Sequence, residues 1–315
     1  MIPEEPLIPN CVRGGLVGEA ALGNARALCY AQAKITVQVF QFETGDYIMR
    51  WEELTGDLFP QAVADSQGVC LLPTSVIERH AHHLPLGTDM YIARDLCRRA
   101  ALIEPAVIFP DLIFTQILEA RHCAGTIAVD ADLMVRLLEN VCREIARNGL
   151  RKIVIVNGHG GNGALLRFLG QIQLENPRDY VVYVAEPPLS PEDAATVKTQ
   201  WETTVDGHAG ESETSMIMAI RPDLVRADQL RADGEGMPQE RLKALSEQGV
   251  YTGIWWYADH PTHYRGDGSP ATADKGEALL AARAKALAHA IRIIKHDNET
   301  KRLQSEFFAA STQYQ

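Results

Sequence analysis

The stretch Lys152-Ile153-Val154-Ile155-Val156-Asn157-Gly158-His159-Gly160-Gly161-Asn162-Gly163 decides the fold. Its four consecutive β-branched residues favour a strand that is apolar on both faces. Such a strand has no solvent side and belongs inside a parallel sheet. The glycines after it permit a tight turn and a close backbone approach. A helix then starts near Ala164. Strand, glycine turn and helix in this order form the repeating unit of an α/β protein.

The same alternation continues on either side. Residues 68–73 form a short apolar strand, 91–103 are helical in composition, and 106–109 form a strand stopped by Pro110. Across 130–148, Met134, Leu137, Leu138, Val141 and Ile145 share one helical face, and Gly149 supplies a stop. Residues 164–174 read as a helix, 181–185 as a strand and 211–220 as a helix. Residues 273–296 read as a long helix with Thr272 as its N-cap. The expected fold is a three-layer α/β/α domain with a mostly parallel sheet over 48–298. Residues 1–47 form an N-terminal extension, in which Ile35, Val37 and Val39 alternate like a half-buried strand across 34–42. Residues 299–315 form a C-terminal tail, and the polar stretch 222–248 reads as an excursion or lid.

Composition narrows the function. Of 315 residues, 46% are hydrophobic and 23% charged, enough for a real core. The net charge of −11 argues against an electrostatic nucleic-acid or membrane binder. No apolar run reaches the ~18 residues of a membrane span. The six cysteines, at 11, 29, 70, 97, 123 and 142, include no CxxC pair. With an acidic opening at Met1-Ile-Pro-Glu4-Glu5, a reducing cytoplasm is expected.

Ligands of open α/β sheets bind beyond the carboxyl ends of the strands. Two polar motifs fall at that end. Glu78-Arg-His80-Ala-His82-His83-Leu-Pro-Leu-Gly-Thr-Asp89 follows one strand, and Asn157-Gly158-His159 follows another. Glu78 and His80 stand two apart, so an extended segment points both the same way. Asp89 follows a Pro-Leu-Gly turn that can fold it back to bridge two ions. His159 is displayed at a strand tip. Taken alone, a Glu-x-His pair is more often a solvated loop; several such clusters at one sheet end point to a water-activating metal site. His82 and His83 are weaker candidates.

A third cluster is Asp206-Gly-His208-Ala-Gly-Glu211-Ser-Glu213-Thr-Ser215. A helix start beside His208 favours its neutral, proton-accepting form. Glu211 or Glu213 could orient it, although acids in a first helical turn are also ordinary. His122 either lines a substrate pocket or is a plain loop histidine. Gly160 and Asp206 join it as candidate substrate-binding positions. His260 and His263 read as loop residues that could stand at a subunit contact. Gly158, Gly160 and Gly163 also fit G-x-G-x-x-G, with Glu186 as the ribose acid, which makes a dinucleotide-binding or other non-catalytic protein the rival reading. No nucleophile sits in a recognisable motif, so a metal-activated water is the natural attacking group.

In combination these motifs resemble the creatininase (creatinine amidohydrolase) family. Trp51-Glu-Glu-Leu-Thr55, Gly125-Thr-Ile127 and Gly268-Ser-Pro-Ala-Thr-Ala-Asp-Lys-Gly-Glu277 add to the likeness, which spans roughly 49–295. The resemblance implies an α/β/α fold and a centre of two divalent ions (zinc, manganese or iron). It also implies hydrolysis of a non-peptide C–N bond in a small, often cyclic amide, formamide or ureide, and a homo-oligomer, commonly a hexamer. By position it makes Glu78, His80, Asp89 and His159 metal ligands, with Asp89 bridging, and His208 the proton shuttle. Family members with creatininase activity carry a ligand Glu two residues after the His of Asn-Gly-His; here that place is Gly161. Either one ion loses a ligand, or Glu213 or water replaces it, or one site alone fills. Ala81 and Arg79 also depart from the usual Gly and Gln.

Overall fold

The computed structural model describes residues 48–230 and 234–312. The extension 1–47, including the strand expected across 34–42, lies outside the described residues. In chain order, α1 (Phe59–Asp65) leads to β1 (Val69–Thr74), α2 (Thr88–Ile103), β2 (Val107–Ile108), α3 (Ala131–Arg147), β3 (Lys152–Asn157), α4 (Gly163–Ile172) and β4 (Val181–Ala185). Then follow α5 (Pro191–Lys198), α6 (Glu211–Ile220), the short α7 (Lys243–Ser246) and α8 (Trp255–Asp259), the long α9 (Ala273–His296) and α10 (Glu299–Ser311). The expected tail thus contains a helix, and the polar stretch 222–248 carries short helical turns. Among the described residues no helix is long and apolar enough to cross a membrane.

The strands are all parallel, in the order β2-β1-β3-β4. β1 and β3 pair along their full length, from Val69 opposite Lys152 to Thr74 opposite Asn157. Side chains alternate across the sheet with period two. Cys70, Leu72, Ile153 and Ile155 pack on α1, α3 and α4 through Ala62, Leu138, Ile145 and Leu166. Val69, Leu71, Val154 and Val156 pack on α2 and α9 through Cys97, Ala100, Leu287 and Ile291. Burying each large aliphatic side chain stabilises the fold by about 1.5–3 kcal/mol. The helix layers on both faces are why the central strands are apolar throughout.

This topology places the site. The chain runs from β1 to one side of the sheet and from β3 to the other, so a crevice opens where their carboxyl ends meet. The Gly158 N–H donates to Thr74 O at 2.8 Å. A Cβ on Gly158 would lie 2.7 Å from Asp89 O and 2.8 Å from Ala93 Cβ. Only glycine lets the first turn of α2 settle on the strand tip. Asp89 is therefore held by a helix that starts at Thr88, earlier than the expected residue 91. It is not a loop residue folded back.

Candidate metal centre

Five acidic and imidazole side chains meet in this crevice. Glu78, His80 and Asp89 are essentially inaccessible to solvent, and His159 is buried. His80 Nδ1–H donates to Glu78 O at 3.2 Å, which leaves Nε2 as its free ligand atom, 3.2 Å from Asp89 Oδ1 and 3.6 Å from Glu213 Oε2. His159 Nδ1 lies 2.8 Å from Glu78 Oε1 and 3.1 Å from Asp89 Oδ2. Potential ligand atoms of Glu78, Asp89 and His159 fall within 4.8 Å of one another, as do those of His80, Asp89 and Glu213. Asp89 belongs to both groups. A third combination of Glu78, His80 and His208 meets the same spacing.

The residues fit a divalent cation. Glu78 Oε1 and Asp89 Oδ2 are buried without a hydrogen bond of acceptable geometry. Leaving buried carboxylate oxygens without hydrogen bonds is costly, and a cation between them removes that cost. Electrostatics agree. Burial opposes a charge on His80, yet Asp89, Glu213 and Glu78 override it and raise the imidazole to about 9. Burial opposes the charge on Asp89 too, but His80 and His159 hold its carboxyl well below the usual carboxylate range. Burial pushes Glu213 up to about 7 against the pull of His80. Two buried carboxylates and the half-buried Glu213 thus share one crevice and draw positive charge from whatever lies near.

His208 lies between two imidazoles and is tilted against both, with centroids 4.1 Å from His80 and 4.3 Å from His263. Its Nε2–H donates to Arg79 O at 2.7 Å, so Nδ1 is the ring atom able to accept a proton. Burial and the neighbouring His80 lower it to about 3. The ring is neutral as expected, but the first cause is burial and not the helix dipole.

Other expectations need correction. Glu211 does not reach His208. It is fully buried, accepts from the N–H groups of Glu202 and Thr203, and pairs with Lys275 Nζ at 2.6 Å. Asp206 accepts from Ser212 N at 3.3 Å and braces the entry to α6, away from the cavity walls. His122 Nε2–H donates to Pro261 O at 2.9 Å, and the ring stands edge-on to Tyr257 outside those walls. His83 is tied to Thr214 Oγ1 at 2.9 Å, and His82 faces Glu235 near the surface. Gly160 does line the cavity.

Three features escaped the sequence. A cavity of about 300 Å³ opens over the cluster, walled by Trp255, Trp256, Glu119 and Arg265 as well as Glu213 and His208. His263, expected in a surface loop, is buried with Nε2 against Glu78 Oε2. Glu119 fills space left by Gly161, where a Cβ would fall 2.4 Å from both Glu119 Oε1 and His159 Nε2. The aromatic run Trp255-Trp256-Tyr257 was the one available signal for the wall. Glu119 and His263 carried none, because their proximity comes from loop paths. The glycine turn that matches a dinucleotide fingerprint presents His159 to Glu78 and Asp89, and Gly158 is packed against α2.

Known proteins share this chain's features. The creatinine amidohydrolase family profile matches residues 52–291. The creatinine amidohydrolase of Pseudomonas putida is 27% identical over 192 residues, covering 56% of this chain and 74% of that protein. The mycofactocin precursor peptide peptidase of Mycobacterium ulcerans (strain Agy99) is 31% identical over 221 residues, covering 67% and 79%. Among solved structures, a creatinine amidohydrolase (creatininase) superposes with a TM-score of 0.65 at 22% identity, covering 80% of this chain and 99% of that one. A manganese creatininase gives 0.64 at 22%, covering 80% and 100%. With the fold, the clustered ligand atoms and a profile match over most of its length, this chain belongs to the creatininase family, hydrolases of carbon–nitrogen bonds.

Proposed function

We propose that this chain is a two-metal amidohydrolase that cleaves a C–N bond in a small amide, formamide or ureide, cyclic ones included. The observation that carries this reading is the convergence of Glu78, His80, Asp89, His159 and Glu213, with two buried carboxylate oxygens that lack a hydrogen bond of acceptable geometry, beneath the cavity. Glu78, Asp89 and His159 would hold one ion and His80, Asp89 and Glu213 the other. Glu213, from the His80 side of the cluster, would then supply the carboxylate that the motif lacks at Gly161. Bound there, zinc, manganese or iron supplies Lewis acidity and an activated water.

The protein's own groups do the rest. Asp89 keeps the two positions together through one rigid helical turn. His208 takes a proton at Nδ1 and returns it to the departing nitrogen, a step worth ~10²–10⁴-fold in rate because nitrogen leaves poorly unprotonated. Trp255 and Trp256 give the cavity flat apolar walls, while Glu119 and Arg265 offer opposite charges at its edge. We also assign the protein to the cytoplasm as a homo-oligomer. The free, buried Cys70, Cys97, Cys123 and Cys142 support a reducing compartment.

The deciding experiment is a hydrolysis screen of cyclic amides, formamides, ureides and short peptides with added Mn²⁺ or Zn²⁺. Cleavage of one class, abolished by chelation, is expected. Two bound ions with no turnover on any class would favour a binding protein on this scaffold. Light scattering after size-exclusion chromatography tests the oligomer.

A further inference from the structure

His263 lies outside all three motifs, in the loop between α8 and α9. It is 2% exposed and has a φ of 59°, a left-handed backbone that suits glycine. Such a conformation in a non-glycine residue is strained and persists where its surroundings over-determine it. What surrounds it here is specific. Trp256 Nε1–H donates to His263 Nδ1 at 2.7 Å. An indole nitrogen only donates, so Nδ1 carries no proton and the ring's one proton sits on Nε2. Nε2–H in turn faces Glu78 Oε2. The other oxygen of the same carboxylate, Oε1, has no hydrogen bond and points at the cluster with His159 and Asp89.

We propose that Trp256 and His263 form a positioning relay: the indole sets the imidazole tautomer, and the imidazole clamps one oxygen of Glu78 so that the other is presented to a divalent cation. The inference rests on the reading of Glu78 as a metal ligand. His263 is not a ligand itself, because its inward-facing nitrogen bears the proton. The strain at residue 263 has a use in this light. A relaxed backbone would swing the ring out of line between its two partners. Hydrogen-bonding partners of this kind fix the orientation of ligating groups and raise affinity for the ion.

The test uses full-length protein and zinc, with affinity measured by competition against a chromogenic chelator. His263→Leu should weaken zinc binding by ~10–100-fold. His263→Gln, whose amide can still donate to Glu78, should recover most of that loss. Trp256→Phe keeps the ring but frees the tautomer, and should fall between. Unchanged zinc affinity in His263→Leu overturns the relay, as does a His263→Gln variant no better than His263→Leu. Nitrogen-15 NMR of the histidine rings in the unmutated, metal-free protein needs no variant. Protonation at Nε2 of His263 is expected, and protonation at Nδ1 overturns the relay. Failure of the unmutated protein to take up zinc would instead sink the metallohydrolase reading on which the relay depends.

Discussion

Replacing Asp89 by Asn is the sharpest perturbation, because this carboxylate is common to both candidate ion positions. Its Oδ1 faces His80 and its Oδ2 faces His159, and the side chain is 1% exposed. Asn keeps the shape and removes the charge, so any loss is electrostatic. With free ion at ~100 times the dissociation constant, each bound ion stabilises the native state by ~2.7 kcal/mol. In a domain of this size ~1 kcal/mol moves Tm by about 2–4 °C, so two ions should raise it by about 10–20 °C. Glu213→Gln touches one group only and should keep one ion and a gain of about 5–10 °C. Asp89→Asn should gain less than about 3 °C. Calorimetry of chelator-stripped protein with and without zinc, paired with mass-spectrometric metal counting, reads both quantities. An Asp89→Asn protein that holds two ions per chain would refute the shared position.

His208→Ala should cut turnover by ~10²–10⁴-fold while metal content stays at the unmutated level. A drop in metal content would make His208 a ligand, as its place near Glu78 and His80 permits. Lys275→Met strands the buried Glu211 carboxylate with only the N–H groups and hydroxyl of residues 202–203, and should cost about 3–5 kcal/mol in urea unfolding. Turnover per folded molecule should not change; a selective loss of kcat would return Glu211 to the catalytic machinery. Asp297 is lowered from 3.8 to about 2, chiefly by the Thr300 hydroxyl that donates to it. A depressed carboxylate contributes stability above its unfolded pKa and loses it as pH falls through the folded value. Acid titration of Tm should therefore show a decline between about pH 4 and pH 2 that Asp297→Asn flattens; an identical profile in that variant would sink the assignment.

The candidate ligand set was legible to different degrees. Glu78, His80 and His159 lie in the segments that follow β1 and β3, and the carboxyl ends of parallel strands share one end of the sheet by topology. Asp89 came with the same motif, although its place in a helix did not. Glu211 and Glu213 looked alike in the sequence, two acids in one first turn. Their helical positions, two apart, send one toward His80 and the other away to Lys275. No pattern along the chain could separate them. His263 comes from an irregular loop and Glu119 from a single 3-10 turn, and the placement of both depends on everything they pack against.

By itself the sequence determined the α/β layering, because apolar periodicity and glycine turns are local properties that the chain carries wherever it goes. It also determined which end of the sheet is chemical. Only the tertiary structure decided which carboxylate faces the cluster, that Gly161 makes room for Glu119, and that Trp256, a strained His263 and Glu78 stand in one line of contacts. These depend on distances of a few ångströms between residues as much as 185 positions apart. Such distances are set by the packing of helices and loops on the sheet, which no short stretch of sequence encodes.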